Sequence, residues 1–319
     1  APEAGSSDMA RKPALGLGKP TALALCLVAL LARLPTFCPA ESVCAGGVKI
    51  VPRERLFVSE PDPQWFGNDP NPQPSKALNW TNENWLKSRF HFNFAEYGHG
   101  PSNFGVLRVM NDDLVQPKRG FGPHPHRDME ILTFILKGSL THKDSTGTQE
   151  TLGCGGIQYM TAGSGVVHSE QNLHHEPLRF IQCWVLPRER GLKPRYGSMA
   201  GDAVAEASRH GKWSHVVSDV LTRASTPVKI QQDCNVYVLE LNSVKEAATL
   251  KLDPGRQGYL LCAEGNVMLA DALGEQHELR PQDAAELQGP LTLKPSVNGE
   301  AAFLLLFEMR ADGDDMQEI

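Results

Sequence analysis

The chain has 319 residues, 41% hydrophobic and 21% charged, enough to bury a sizeable core and to divide into two domains of ordinary size. Lys and Arg number 31 against 37 Asp and Glu, a net charge of -6, which argues against a general nucleic-acid or anionic-membrane surface. The seven cysteines, at 26, 38, 44, 154, 183, 234 and 262, show no CxxC spacing and no framework density, which excludes a zinc finger or a disulfide scaffold.

Residues 1–47 differ from everything after them. Arg11 and Lys12 precede TALALCLVALLA (21–32), a run with no charge and no helix breaker, and no acid lies between Met9 and Ala40. Twelve apolar residues are too few to span a bilayer but suit the core of a secretory signal. An Arg-containing, acid-poor leader also serves as a mitochondrial or plastid transit sequence. The segment is expected to be an address, disordered or removed, and the mature protein to have no stable membrane span. Without such processing the protein would be cytoplasmic.

From about Val48 the pattern is that of a β-protein. FGVLRVM (104–110), EILTFIL (130–136) and FIQCWVL (180–186) are short, apolar and rich in β-branched and aromatic residues. Gly, Pro, Asn and Asp separate them at turn positions, as strands require. Between the first two stretches, GFGPHPHR (120–127) sets His124 and His126 on either side of Pro125. Lacking an N–H, Pro125 suits a strand end or a barrel rim. KDSTG (143–147) reads as a tight turn with Gly147 available for positive φ. MTAGSGVVHSEQN (160–172) then carries His168 and Glu170, with Gly163 and Gly165 permitting a turn before them.

These two segments carry the chemistry. Each pair, His124 with His126 and His168 with Glu170, has i, i+2 spacing, which puts both side chains on one face of a strand. Imidazole nitrogens and a carboxylate oxygen are ligands for a divalent iron, copper, nickel or zinc ion. Three histidines and one glutamate can converge on one ion inside a β-structure and leave positions open for substrate.

Residues 194–207 lapse into a polar, small-residue connector. A second set of strands follows at NVYVLELN (235–242), GYLLCAEG (258–265), NVMLA (266–270) and AAFLLLFEM (301–309), and DGDDMQ begins a solvated tail. No long amphipathic helical pattern is found. Two β-sandwiches or barrels of roughly 100 to 150 residues each account for this all-β pattern. The second half offers only His210, His215 and His277, which stand isolated without a same-face carboxylate and read as surface or packing histidines.

The runs 120–147 and 160–172 resemble the pirin family of the cupin superfamily, as do LRVMNDDLV (107–115), WVLPRERGLKPRY (184–196) and FLLLFEM (303–309). The likeness is to short bacterial pirin-like quercetin 2,3-dioxygenases. It implies a bicupin, two jelly-roll barrels side by side: 48–200 with one metal, 201–311 without metal, and a tail at 312–319. By position the implied ligands are His124, His126, His168 and Glu170. A general cupin pattern, H-x-H-x3-E, would recruit Glu130 instead. The pirin branch takes its carboxylate from the second segment, leaving Glu130 behind the ligands.

A 3-His-1-Glu set with a vacant position departs from a closed structural zinc site. The resemblance implies a metal-dependent dioxygenase acting with O2 on a flavonol such as quercetin, opening its ring with loss of carbon monoxide. Iron(II) is the expected metal, with copper, nickel, cobalt, manganese and zinc as alternatives. Glu170 would be both ligand and base. Phe121, in a glycine-rich loop, is the candidate substrate contact at the barrel mouth, while Met129 and Met160 read as barrel packing. The family also implies a second reading, a metal-binding interaction or regulatory module without catalysis, and cupins host other metal-assisted isomerisation or storage roles. No direct contact with nucleic acid is expected.

Overall fold

The apolar stretches form strands that close into two barrels, each made of one seven-stranded and one four-stranded sheet. The computed structural model describes residues 46–69, 85–95, 97–242 and 248–311. The expected leader lies outside the described residues apart from Gly46 and Gly47, and the expected tail lies wholly outside them. Among the described residues no helix is long and apolar enough to cross a membrane.

In the first barrel the larger sheet runs Arg195–Met199, Ile157–Thr161, Glu130–Lys137, Leu178–Val185, Leu107–Val115, Leu86–Phe90, Phe57–Ser59. Facing it, the smaller sheet runs Arg119–His126, Val166–Asn172, Ser139–Asp144, Gln149–Gly153. The second barrel repeats this plan, its larger sheet centred on Arg256–Glu264, Ala302–Arg310 and Cys234–Leu241. The two larger sheets share one core. Leu132, Phe134 and Ile181 of the first pack with Val236, Leu305 and Phe307 of the second, the rings of Phe134 and Phe307 meeting edge to face at 6.0 Å. Strands such as Glu130–Lys137 are therefore covered on both faces and read as continuous apolar runs instead of alternating ones. Val166–Asn172 does alternate, burying Val166, His168, Glu170 and Asn172, because only one face of the smaller sheet looks inward.

Two expectations change. Val48–Val51, expected to open the first barrel, pairs instead with Ala284–Gln288 at the edge of the second barrel's larger sheet. Gly47, assigned to the leader, already exchanges backbone hydrogen bonds with Gln288. The connector at 194–207 holds an edge strand, Arg195–Met199, and a short helix, Ala203–Arg209. Its small residues have a packing cause: a Cβ at Gly197 would stand 2.2 Å from the Tyr159 ring on the neighbouring strand. Gly163 meets its expected turn role, with φ +47° and the Leu192 carbonyl 1.9 Å from where a Cβ would lie.

Candidate metal centre

Strand register brings the two histidine segments together. Arg119–His126 and Val166–Asn172 pair antiparallel, with His168 opposite His124 and Val166 opposite His126. The register then slips, so that Glu170 faces Phe121. This bulge at Gly122 and Pro123 re-aims the chain next to the histidines, as bulges do beside functional sites. One ring nitrogen from each of His124, His126 and His168 lies within 4.8 Å of the other two. The Nε2 atoms of His124 and His168 are 3.1 Å apart.

The electrostatics leave these rings neutral. Burial lowers the pKa of His124, and burial followed by the neighbouring His124 pushes His126 down to about 4. For His168, burial and then His124 and His126 push it down to about 2. The Nδ1 of His124 meets the Gly122 carbonyl at 2.7 Å; a carbonyl only accepts, so Nδ1 carries the proton and Nε2 presents its lone pair. Facing imidazole nitrogens at such separation hold either a shared proton or a cation. The donor set fits a divalent transition metal, and the buried Nδ1 of His168 has no hydrogen-bond partner among the described residues.

Glu170 does not join the three histidines at the same reach. It forms a second buried group with His168 and His142, so His168 is the member common to both. Its carboxylate is drawn to the barrel's far wall. Gln158 donates to Oε1 at 2.6 Å and Gln182 to Oε2 at 2.7 Å. Burial pushes its pKa up to about 7 against the hydrogen bonds from Gln182, Thr133 and Gln158.

Sequence reasoning missed His142. It sits opposite Glu170 on Ser139–Asp144, 1% exposed at the side chain, stacked on Tyr196 with ring centroids 4.6 Å apart. Its Nε2 lies 3.0 Å from the Asp144 carboxylate, which fixes the proton there and leaves a buried Nδ1 without a partner. For Asp144 burial alone would raise the pKa, but hydrogen bonds from Thr146, His142 and the Thr148 backbone outweigh it and lower it. The available signal was the inward parity of Leu140, His142 and Asp144 along one strand.

Glu130 is buried but touches none of the histidines through a hydrogen bond. Thr161 donates to its Oε2 at 2.9 Å, Oε1 has no hydrogen-bond partner among the described residues, and burial, opposed by Thr161 and the Gln231 backbone, pushes its pKa up to about 7. Phe121, expected at the mouth, packs edge-on against Phe66 and Trp85 with centroids 5.3 and 5.2 Å away. It also stands 6.3 Å from the His124 ring, and Trp184 reaches the cluster edge-on to His126 at 4.8 Å. Met129 and Met160 pack as expected, around Ile131 and Val166. An open hollow of about 370 Å3 lies beside His126, lined by Pro125, Arg127, Gly165 and Val167 among others.

In the second barrel the expected isolation of two histidines is corrected. His210 lies with Glu206 and Glu240, and His277 with Asp271 and Glu275, each set within 4.8 Å. Helix and strand neighbours supply these carboxylates, which linear spacing concealed. Both sets are far less buried than the first-barrel groups.

The Pirin family profile matches residues 73–185, and one described as the quercetinase C-terminal cupin domain matches 216–309. A Pseudomonas aeruginosa protein provisionally named a quercetin 2,3-dioxygenase is 36% identical over 236 residues, 73% of this chain and 97% of that protein. The Escherichia coli K12 protein named quercetin 2,3-dioxygenase is 37% identical over 191 residues, 59% of this chain and 78% of its own length. The crystal structure of a bacterial pirin from Escherichia coli in complex with nickel(II) matches with a TM-score of 0.66 at 27% identity, covering 83% of this chain and 100% of that one. Two barrels, the paired histidine segments and this extent of likeness agree: the chain belongs to the pirin family of the cupin superfamily.

Proposed function

We propose that the protein is a metal-dependent dioxygenase that cleaves a flavonol-like aromatic such as quercetin with O2, and that its metal is iron(II). The observation that carries this reading is a cluster of three neutral imidazoles, one of which, His168, also groups with the buried Glu170 carboxylate, whose pKa is pushed up to about 7. Relatives named quercetin 2,3-dioxygenase and a nickel-bound bacterial pirin support it. A divalent metal held by His124, His126 and His168, with Glu170 completing the set, would supply Lewis-acid stabilisation of a deprotonated substrate and an electron path to dioxygen. Glu170 would take the proton of the flavonol 3-hydroxyl onto a carboxylate oxygen, a task for which a pKa near the working pH is suited. The hollow beside His126 would be the approach for the planar ring system.

The test is aerobic incubation of iron-loaded protein with quercetin, following loss of the flavonol absorption band and release of carbon monoxide. Catalytic turnover with carbon monoxide in step is the expected result. Full metal occupancy with no turnover would replace this reading by a metal-binding interaction module without catalysis.

A further inference from the structure

We infer that Gln158, Thr133 and Gln182 are a positioning device for Glu170, a closed ring of hydrogen bonds that fixes how the carboxylate is presented to the cation held by the histidines. The three residues come from adjacent strands of the larger sheet. Register sets Thr133 opposite Gln158 on one side and opposite Gln182 on the other, so the side chains form a row across the sheet. Each stands between apolar neighbours, in LTF, IQY and IQC. Glu170 reaches this row from the opposite sheet and ties the two walls of the barrel together.

Donor directions close the ring. Gln158 Nε2 donates to Glu170 Oε1 at 2.6 Å and to Thr133 Oγ1 at 3.2 Å. The Thr133 hydroxyl donates to Gln182 Oε1 at 2.9 Å, and Gln182 Nε2 donates to Glu170 Oε2 at 2.7 Å. Every member is buried, from Thr133 at 0% to Gln182 at 8% exposed. Thr133 joins the two glutamines. It accepts from Gln158 and offers its proton to Gln182, and because the Glu170 carboxylate only accepts, both amides turn their NH2 groups towards it. Glu170 Oε2 therefore spends one lone pair on the ring and keeps one for the site, while Oε1 takes Gln158 and also faces the Thr133 hydroxyl at 3.3 Å. A buried ring of paired polar groups resists rearrangement, since breaking any link leaves desolvated partners.

This inference deepens the dioxygenase reading and rests on the same centre, so its test needs a readout independent of turnover. The full chain is loaded with cobalt(II) as parent, Thr133→Val and Thr133→Ser, and the visible ligand-field spectrum is recorded beside kcat and KM for quercetin with the iron-loaded forms. Valine keeps the shape but neither donates nor accepts; serine keeps both functions. Thr133→Val should bind one cobalt with altered bands and lose about 10–100-fold in kcat with little change in KM, while Thr133→Ser matches the parent. A parent-like spectrum in Thr133→Val, or the same alteration in Thr133→Ser, would overturn the assignment. Should Thr133→Val not fold, Gln182→Met carries the same test, with altered cobalt bands expected and parent-like bands decisive against. An absence of turnover in the parent would count against the dioxygenase reading alone, since the cobalt spectra still decide the ring.

Discussion

The two barrels share a plan and differ in what points inward. The second is filled by leucines, among them Leu239, Leu241, Leu260, Leu287, Leu304 and Leu306, all 0 or 1% exposed. At equivalent depth the first buries His168, His142, Glu170, Gln158, Thr133 and Gln182, with apolar clusters confined around them. Burying so much polarity is unfavourable unless each group is partnered. The first barrel partners most of them with one another and leaves the Nδ1 atoms of His142 and His168 without any partner among the described residues. One barrel is built for stability, and the other gives up packing for a site. Fold alone would not separate them.

Removing ligands should break the contrast most sharply. His168→Ala deletes the residue common to both buried groups and should abolish metal binding, whereas His277→Ala should leave metal content at one per chain; elemental analysis of both proteins decides. Next in size, Glu170→Gln should weaken metal binding and remove flavonol turnover, while Glu130→Gln should keep the metal and lose about 10–100-fold at most. Metal content and turnover measured side by side would reverse the assignment if Glu130→Gln alone lost metal. Leu304→Ala should cost about 2–5 kcal/mol of stability through the cavity it opens and still bind one metal, as denaturant melts and metal analysis would report.

The smallest effect expected is one of pH. Burial pushes Asp113, which accepts from the Ser88 hydroxyl, from 3.8 up to about 8. Between about 4 and 8 the unfolded chain has released this proton while the folded chain keeps it, so the contribution to stability falls as pH rises through that window. Asp113→Asn cannot titrate. Its melting temperature should decline less between pH 6 and pH 9 than that of the parent, and an unchanged slope would remove Asp113 from the account.

The all-β plan, the two barrels and the converging histidines were legible in the sequence because they are local. Strand parity, turn residues and i, i+2 spacing are written in short windows such as HPH and HSE. What was not legible depends on pairing between distant segments. Val48–Val51 joins a strand more than two hundred residues away, and no local pattern announces it. His142 shows no ligand spacing, and only its register with Glu170 brings it to the site. Gln158 and Gln182 stand singly on different strands, and only strand pairing sets both beside Thr133. The packing of Phe121 on Phe66 and Trp85 was not legible either, because those rings come from segments distant in sequence.

The central claim is that the first barrel, and not the second, holds the metal. Its most direct test is an anomalous-difference map from crystals of the protein grown with iron(II) or cobalt(II). The account predicts a single strong peak within bonding distance of ring nitrogens of His124, His126 and His168. A principal peak at Glu206, His210 and Glu240, or none at the three histidines at full metal load, would contradict it.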